Sequence, residues 1–417
     1  MDILLVPFGS HGDVHPFLAL GQALRERGHH VTFILNELFG PLVRGLGFVH
    51  VPLGDDERLA EVQNDPDLWH PRKAFKVVAK TVLEAARLTY PLIVDRIVPG
   101  ETVVVGGSMA FSARLAHEKT GVPAATVHLQ PAVFFSNDET PTFPGLGVVT
   151  NWPRWFKRPF YDFIYSQGID PSIAPGLNAF RAELGLPPVR DIMRDYLHAP
   201  QLVLGFFPSW FAAPQRDWPR QTKLVGFPLF DEQDATPIPP ELEAFLDAGP
   251  PPIAFTPGSG NLHARAFFDA SAEACHLLGR RGILLSRFAK NVPPTLPEGV
   301  VHFPYAPFGT LLPRIAALVH HGGIGTSAQA MATATPQLVM PLAYDQFDNV
   351  ARMAKRGIAR ALLPAKFRAP AVAKELHALF DDSDLKQNCV ETSALFARDP
   401  HPMQTACEAI ETLHQQS

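Results

Sequence analysis

Two stretches of the chain, about 250 residues apart, share one order of segments: a short apolar run, a glycine-containing loop, an amphipathic stretch and a second apolar run. In the first stretch the apolar runs are Asp2 to Phe8 and His30 to Leu35, and in the second they are Pro252 to Thr256 and Gly282 to Ser286. This order predicts β–loop–α–β units, from which doubly wound parallel sheets are built. The sequence therefore predicts an α/β protein with two Rossmann-like domains that face an interdomain cleft.

A proline-rich, acidic segment separates the two halves. Three prolines between Asp231 and Pro240 disfavour regular structure. We therefore expect an N-terminal domain over residues 1–232, a linker over 233–240 and a C-terminal domain over 241–417, with the last helix left free to cross back.

Charge and cysteine content exclude several classes of protein. The formal net charge is −5, and no run rich in Lys and Arg offers the footprint of a nucleic-acid-binding protein. Cys275, Cys389 and Cys407 are scattered and form no C-x-x-C pair, which is typical of free thiols in a reducing compartment. The N-terminus lacks the basic region of a signal peptide, and glycines and Pro336 interrupt the longest uncharged stretch, Ile315 to Tyr344. We expect a cytoplasmic protein without a transmembrane segment.

The stretch from Val319 to Ser327 places a glycine-rich turn between an apolar run and a helix-compatible segment that starts at Ala328. Glycines let the backbone approach a ligand, and a helix N-terminus offers unpaired N–H groups. With Thr326, Ser327 and His320 as further donors, the turn predicts a diphosphate cradle, although a tight turn with packed histidines would explain the same residues. No P-loop is present, and no G-x-G-x-x-G follows the first strand, which disfavours kinases and dehydrogenases.

Two further segments suggest ligand contacts. Asp345 and Gln346 carry acceptors and donors suited to sugar hydroxyls, although Asp345 is also a good helix N-cap. The proline-rich segment from Ser136 to Pro159 is expected to be a long loop, either a satellite hydrophobic cluster or the wall of an acceptor pocket. The aromatic residues that would line such a pocket for a hydrophobic alcohol are Phe134, Phe135, Trp152, Trp155 and Phe156.

These motifs resemble those of nucleotide-sugar glycosyltransferases with the GT-B fold, in the UDP-glycosyltransferase superfamily. The span from Tyr305 to Asn349 resembles their donor-binding signature, and Gly9 to Pro16 resembles the G-S-x-G-D-x-x-P loop of the sterol and antibiotic branches. Phe207 to Ala212 and Gly226 to Asp231 are similar to the rhamnosyltransferases of bacterial rhamnolipid synthesis. The resemblance covers nearly the whole chain and implies an inverting, metal-independent glycosyltransferase.

The resemblance also implies roles for individual residues. Tyr305 matches an aromatic that stacks on the nucleotide base, and Asp345 and Gln346 match positions that hold the donor sugar. The full set of implied donor-binding residues is Gly258, Ser259, Tyr305, Ala306, Pro307, His320, Gly322, Gly323, Gly325, Thr326, Ser327, Asp345 and Gln346.

Asp13 matches the position of the general base, on what we expect to be a loop before a helix with Pro16 in its first turn. Inverting transfer needs a base for the acceptor hydroxyl and an N–H-rich environment for the departing diphosphate. A free aspartate has a pKa of about 3.9, so burial would have to raise it. His11 and His15 are competing candidates for the same role.

The donor and acceptor remain open at this stage. Family members that use UDP-sugars often carry a glutamate two positions after the Thr326 equivalent, and here that residue is Ala328, which favours a dTDP-sugar. Our expectation is transfer of L-rhamnose from dTDP-L-rhamnose to a hydroxy fatty acid lipid. The alternative is a UDP-sugar-dependent glucosyltransferase of a sterol, a polyketide or another lipophilic alcohol.

We expect no cofactor beyond the co-substrate and no metal. Two Asp-x-Asp triplets, at 65–67 and 382–384, fall in a loop and near a helix cap, and His11 and His15 have no evident third ligand. A nucleotide-sugar epimerase and a non-catalytic nucleotide-sugar-binding subunit are the alternatives from other classes. Oligomeric state and a peripheral contact with the inner face of a membrane are left open.

Overall fold

A computed structural model describes residues 1–54, 61–62, 65–69, 74–143, 152–230, 237–398 and 401–417. The chain forms two compact units, Met1–Pro228 together with Pro400–Ser417, and Leu229–Asp399. Residues 233–236 of the expected linker and 144–151 of the expected long loop lie outside the described residues.

The first unit contains a parallel sheet with seven strands among the described residues. In space their order is β3-β2-β1-β4-β5-β6-β7. The strands are β1 (Asp2–Val6), β2 (His30–Leu35), β3 (Val49–Pro52), β4 (Thr102–Gly107), β5 (Ala124–His128), β6 (Leu202–Gly205) and β7 (Thr222–Leu224). The helices are α1 (His11–Glu26), α2 (Gly40–Gly45), α3 (Ala74–Val94), α4 (Phe111–Thr120), α5 (Arg154–Ile164) and α6 (Asp170–Glu183).

The second unit repeats this architecture with six described strands in the order β10-β9-β8-β11-β12-β13, again all parallel. The strands are β8 (Ile253–Thr256), β9 (Gly282–Leu285), β10 (Val300–Phe303), β11 (Ala317–His320), β12 (Gln337–Val339) and β13 (Ala359–Ala361). The helices are α7 (Pro240–Asp247), α8 (Arg265–Leu278), α9 (Phe308–Leu311), α10 (Ile324–Ala332), α11 (Gln346–Lys355), α12 (Ala369–Asp381) and α13 (Ser383–Phe396).

The strand order places one crevice in each unit. It reverses between β1 and β4 in the first sheet and between β8 and β11 in the second. Open parallel sheets bind ligands outside the carboxyl ends of their strands at such reversals. Buried apolar side chains from both sheet faces form the cores around these strands. The predicted class, an α/β protein with two doubly wound parallel sheets, is confirmed.

Three helices begin earlier than the sequence predicts. Residues 11–13 are not loop but the first turn of α1, because the carboxylate of Asp13 accepts a hydrogen bond from the Ser10 N–H and closes the helix start. Pro16 consequently lies past that turn. The helix α10 begins at Ile324, four residues before the predicted Ala328, and α5 begins inside the expected loop, at Arg154.

The last helix, α14 (Pro402–Gln415), packs with α1 in the first unit. Both oxygens of Glu411 accept hydrogen bonds from the Arg27 guanidinium at 2.7 Å, and His29 Nε2 lies 2.9 Å from the same carboxylate. The last helix therefore belongs to the first unit. Among the described residues, no helix is both long and apolar enough to span a membrane.

Candidate functional site

Glycines shape the loops at the crevice of the second sheet. Gly322, just after β11, has φ +92°, and a Cβ there would lie 2.8 Å from Cγ1 of Val339. Gly258, after β8, has φ +93°, and its Cβ would lie 2.7 Å from the ring of His321. A Cβ at Gly323 would meet the same ring at 2.6 Å. The imidazole of His321 is therefore enclosed by the two loops, and these three positions have no room for a side chain.

The N-terminus of α10 is open. Its N-cap residue, Gly323, supplies no side-chain hydrogen bond, and the first N–H groups of any helix lack partners within the helix. A Cβ at Gly325 would have no atom within 4 Å, and Thr326 beside it is half-buried. An uncapped helix start with space in front of it suits a phosphate or diphosphate group.

Two predicted donors to the ligand are engaged inside the unit instead. His320 is fully buried: its Nδ1 accepts from the Gly322 N–H at 3.1 Å, and its Nε2 lies 3.0 Å from Oε1 of Gln337. Burial lowers its pKa to about 3, so the ring is neutral. Ser327, also fully buried, donates its hydroxyl to the Gly323 carbonyl at 3.0 Å. Both side chains make hydrogen bonds within the turn, and their contact with a ligand stays a prediction.

The helix α11 is tied to this turn by an asparagine. The fully buried Asn349 donates to the Gly322 carbonyl at 2.9 Å and to the Asp345 carboxylate at 2.6 Å. Asp345 is the N-cap of α11 but accepts no capping bond, and it is half-buried. Gln346 uses its carboxamide oxygen to accept from the N–H groups of Leu342 and Ala343. Only its NH₂ group could therefore contact a sugar.

The predicted base-stacking residue has a charged neighbour. Tyr305 follows β10, and the guanidinium of Arg287 lies over its ring at 5.2 Å from the centroid. Ala306 is buried in the core of the unit, so a nucleotide could meet only its backbone. Pro307 is the N-cap of α9, and Ser259 is exposed in the loop after β8.

Asp13 lies at the carboxyl edge of the first sheet. Its carboxylate accepts from the Ser10 N–H at 2.7 Å and from the Ser10 hydroxyl at 3.2 Å. Burial raises the pKa of Asp13, and the two bonds from Ser10 offset part of that effect. The raised pKa is the change that a carboxylate needs to act as a base near neutral pH.

His11 and His15 occupy a different face of α1. Residues of an α-helix advance by about 100° each, so these two histidines lie close together and roughly opposite Asp13. Their ring centroids are 5.6 Å apart, and the His11 ring packs edge-on against Phe39 at 4.9 Å. The two histidines and the Asp13 carboxylate, which are alternative candidates for the base, therefore lie on different faces of α1.

The predicted acceptor-site aromatics fall into three environments. Phe134 is buried and stacks between His198 and Trp218, as part of the core. Phe135 and Trp152 pack in an aromatic cluster around two buried tyrosines, Tyr161 and Tyr165. Unlike the expected loop residues, Trp155 and Phe156 lie on α5, where Trp155 is 77% and Phe156 is 47% exposed.

Sequence reasoning missed three residues at the second crevice. His321, Asn349 and Arg287 have no role predicted from the sequence. Each acts through a contact with a loop from another strand, which no local pattern reveals. Within the described part of the chain, no group of three or more His, Cys, Asp or Glu side chains is placed to hold a metal.

Family models match both the N-terminal and the C-terminal part of the chain. A family model described as the glycosyltransferase family 28 N-terminal domain matches residues 3–134. A second, described as the C-terminal domain of erythromycin biosynthesis protein CIII-like proteins, matches residues 284–412. The chain is 30% identical to the O-mycaminosyltylonolide 6-deoxyallosyltransferase of Streptomyces fradiae, over 92% of this chain and 90% of that protein. It is also 30% identical to the vancomycin aglycone glucosyltransferase of Amycolatopsis orientalis, over 86% and 85% of the two chains.

Solved structures share the fold. The glycosyltransferase of kitacinnamycin matches with a TM-score of 0.75 and 20% identity, over 99% of this chain and 98% of that one. The glycosyltransferase VinC, in complex with dTDP, matches with a TM-score of 0.69 and 18% identity over the whole of both chains.

Proposed function

The chain belongs to the antibiotic-type glycosyltransferases of family 28 and the EryCIII-like group, with the GT-B fold, and we propose that it moves a deoxyhexose from a dTDP-sugar to a hydroxyl of a hydrophobic acceptor. Enzymes of this family use nucleotide-sugar donors and need no resident cofactor. The observation that carries the proposal is the uncapped N-terminus of α10, with open space at Gly325.

In the proposed reaction the donor diphosphate lies at the start of α10. The backbone N–H groups of the first turn and the Thr326 hydroxyl stabilise the charge that develops on the diphosphate as the bond to the anomeric carbon breaks. The ring of Tyr305 stacks on the nucleotide base, while Asp345 and the NH₂ group of Gln346 bind the sugar hydroxyls. Asn349 ties the start of α11 to the glycine turn after β11, because it donates hydrogen bonds to both Asp345 and the Gly322 carbonyl.

Asp13 completes the reaction as the general base. The acceptor oxygen attacks the anomeric carbon from the side opposite the diphosphate, and its proton passes to the Asp13 carboxylate, which gives inversion. The raised pKa of Asp13 supports this role. The carboxylate keeps one oxygen on Ser10, which fixes its orientation.

The choice of dTDP rests on Ala328 and on a relative. Ala328 is 2% exposed and carries no carboxylate for a ribose diol, so a nucleoside without the 2′-hydroxyl loses nothing at this position. VinC, which shares the fold, was solved with dTDP. L-rhamnose is our specific sugar candidate, and a UDP-sugar-dependent glucosyltransferase is the alternative.

A hydrophobic acceptor is supported by the aromatic cluster around Tyr161 and Tyr165 and by the relatives. The names of two relatives specify an O-mycaminosyltylonolide and a vancomycin aglycone as acceptors. A hydroxy fatty acid lipid is our specific candidate, and a sterol or polyketide alcohol is the alternative.

We further propose that the enzyme works in the cytoplasm against the inner face of a membrane, from which a lipid acceptor would be drawn. The exposed side chains of α5 support this: Trp155, Phe156 and Phe163 are 77%, 47% and 65% exposed on one face, and the exposed Arg158 flanks them. Aromatic side chains with a flanking cation suit an anionic lipid surface.

Thermal shift with nucleotides tests the donor site first. dTDP, UDP and GDP are each added to the purified protein, because a ligand that binds only the folded state raises the unfolding midpoint. The proposal expects dTDP to give the largest rise. A larger rise with UDP would favour the glucosyltransferase alternative, and no rise with any nucleotide would contradict the diphosphate site at α10.

Transfer itself is measured by release of dTDP from dTDP-L-rhamnose and from dTDP-glucose. The acceptors are the methyl ester of a medium-chain 3-hydroxy fatty acid, a sterol and a phenol. The anomeric configuration of the product, read by NMR coupling constants, tests inversion. Retention of configuration would exclude Asp13 as a base in direct displacement.

A further inference from the structure

A hydroxyl and two histidines form a hydrogen-bonded series in the first unit. Ser108 Oγ lies 2.9 Å from His128 Nδ1, and His128 Nε2 lies 2.8 Å from His198 Nδ1. Ser108 directly follows β4 and His128 ends β5, so neighbouring strands bring these two residues together. His198 belongs to the segment that precedes β6, on the other side of β5.

The two histidines are held rigidly inside the unit. His128 is 0% and His198 is 3% exposed. The ring of Phe134 stacks on His198 and meets His128 edge-on, and Arg114 donates to the His198 carbonyl at 2.7 Å. Burial lowers the pKa of both histidines, that of His198 to about 4. Both rings are therefore neutral at physiological pH, and the half-buried Ser108 is the only member of the series that a ligand could reach.

The hydrogen-bond pattern lets the Ser108 hydroxyl donate to a ligand oxygen. Ser108 Oγ also lies 3.2 Å from the Val127 carbonyl, which can only accept. If the hydroxyl donates to that carbonyl, the Nδ1–H of His128 donates to Ser108, and His198 in turn donates to His128 Nε2. The remaining nitrogen, Nε2 of His198, is then an acceptor, and it is buried without a hydrogen-bond partner. Because His128 supplies the proton of its bond to Ser108, the Ser108 hydroxyl hydrogen can turn from the 3.2 Å bond to Val127 toward a ligand oxygen.

The series ends at the crevice that holds Asp13. The strands β1 and β4 are paired, with Val6 opposite Gly106. A Cβ at Gly107 would lie 3.5 Å from the backbone nitrogen of Phe8, so the loop that carries Ser108 touches the loop after β1. A Cβ at Gly9, the next residue, would meet the Asp13 carboxylate at 2.2 Å. Ser108 and Asp13 thus follow adjacent strands at the strand-order reversal of one sheet.

We propose that Ser108, oriented by His128 and His198, donates a hydrogen bond to the acceptor oxygen and so leaves the single proton of that hydroxyl directed at Asp13. The inference rests on the proposed function and adds to it the group that selects a hydroxyl at this place. In the step, the acceptor oxygen forms the new bond to the anomeric carbon, the proton goes to Asp13 and the diphosphate leaves with the electron pair. Ser108 gains and loses no proton, and the two histidines are positioning residues.

Transfer and donor binding separate this role from a structural one. The variants are Ser108→Ala, His128→Leu and their combination, with dTDP-L-rhamnose and dTDP-glucose as donors and the hydroxy ester and phenol above as acceptors. Transfer should fall at least tenfold in kcat/KM for each single variant, whereas the affinity for dTDP should stay within twofold of wild type, because the proposed donor site lies in the second unit. The double variant should lose no more than either single variant, because both act through one hydroxyl.

Binding provides a measurement that does not depend on turnover. In protein labelled with ¹⁵N-histidine, the acceptor ester or phenol should shift the ring-nitrogen signals of His128 in the wild type and not in Ser108→Ala. His128→Asn, whose amide can take the place of Nδ1, should recover part of the transfer that His128→Leu loses. Unfolding midpoints of all variants show whether they fold.

The outcomes distinguish the two proposals. Transfer by Ser108→Ala within twofold of wild type, or equal loss of transfer and dTDP affinity, would overturn the role of Ser108 and leave the proposed function standing. His128 signals that move equally in wild type and Ser108→Ala would also overturn it. A wild-type protein that binds no nucleotide and transfers to no acceptor would overturn the proposed function itself.

Discussion

The two sheets share a strand order, yet the helix starts at their crevices differ in charge. In the first unit, the start of α1 is closed by its own carboxylate, since Asp13 accepts from the Ser10 N–H at 2.7 Å. In the second unit, α10 begins at Ile324, its N-cap Gly323 supplies no side-chain hydrogen bond, and there is open space at Gly325. A helix N-terminus attracts negative charge, so the first start already holds an anion and the second is left to bind one.

The polar groups at the two crevices differ in the same way as the two helix starts. The first crevice carries a proton acceptor, Asp13 with its raised pKa, and Ser108, which is held by His128, follows the adjacent strand. The second carries donors, the N–H groups of α10 and the Thr326 hydroxyl. Glycosyl transfer moves a proton off the acceptor and a negative charge onto the diphosphate. In the proposed function, the first crevice takes up the proton and the second stabilises the charge on the diphosphate.

Removing the carboxylate from the first crevice should have the largest effect. Asp13→Asn keeps the shape of the side chain but cannot take a proton, so transfer should fall by about 10²–10⁴-fold, the usual contribution of a general base. Donor binding should be unchanged, because the proposed donor site lies in the second unit. A coupled assay of dTDP release measures the first quantity and calorimetry with dTDP the second.

Asp13→Glu is the matched control and should keep more activity than Asp13→Asn. Burial raises the pKa of Asp13, so wild-type kcat/KM should fall on the acid side at a pH above the ordinary aspartate value of 3.8. The raised pKa also means that the folded state loses stability as pH rises through it. Asp13→Asn should therefore unfold at no lower temperature than wild type at pH 7. Equal losses of dTDP affinity and of transfer would contradict the division between the crevices.

Filling the second crevice should have the next largest effect. In Gly325→Ala the new methyl group meets no protein atom within 4 Å and enters the space in front of α10, so the fold should tolerate it. The affinity for dTDP should fall at least tenfold, because the methyl group occupies diphosphate space. Thermal shift against dTDP concentration measures both the unliganded midpoint and the affinity.

Gly45→Ala, at the end of α2, is the control, since a Cβ there also has no atom within 4 Å. It should leave dTDP affinity unchanged. If Gly325→Ala binds dTDP as tightly as wild type, the diphosphate does not lie at the start of α10, and the comparison between the two helix starts loses its functional meaning.

The local hydrophobicity pattern of the sequence predicted the strands better than it predicted the helix starts at the crevices. The strands β1, β2, β8 and β9 were recognisable because short apolar runs between loops leave few alternatives. The start of α1 was misplaced because it depends on one side-chain bond, from the Ser10 N–H to Asp13, which a hydrophobicity pattern does not encode. The fold class could therefore be deduced from the sequence, and the helix ends that frame the crevices could not.

The site residues that were missed meet only in three dimensions. Ser108 and His128 are 20 residues apart, and His128 and His198 are 70 apart, yet each pair is within 2.9 Å. Of the two adjacent histidines, the sequence pointed to His320 as a ligand contact. The ring nitrogens of His320 make hydrogen bonds within the unit, whereas His321 lies between the two glycine loops. The implied donor-binding roles of the remaining residues stay predictions until the variants above are measured.

A smaller effect is expected on vesicle binding, which we propose depends on the exposed aromatic side chains of the first unit and not on those of the second. Trp155→Ser with Phe163→Ser removes most of the exposed aromatic face of α5, so binding to vesicles of phosphatidylglycerol should weaken several-fold. Sedimentation with vesicles measures this, and phosphatidylcholine vesicles should bind wild type less because Arg158 gains no charge attraction. Leu277→Ser, which removes an apolar side chain of the second unit that is 52% exposed, should change nothing. Equal loss in both variants would show that the contact is not specific to α5.

The smallest effect concerns the helix that returns to the first unit. Arg27 and His29 lower the pKa of Glu411 to about 2, so the ionised carboxylate stabilises the fold above its ordinary value of 4.5. This contribution is lost as pH falls toward 2. Glu411→Gln should therefore lower the unfolding midpoint by a few degrees at pH 7, with a difference from wild type that shrinks below pH 4.5. Glu408→Gln, on the exposed side of α14, should leave the midpoint unchanged. If the two variants unfold alike at pH 7, the pairing with Arg27 adds no stability, and apolar packing alone holds α14 on α1.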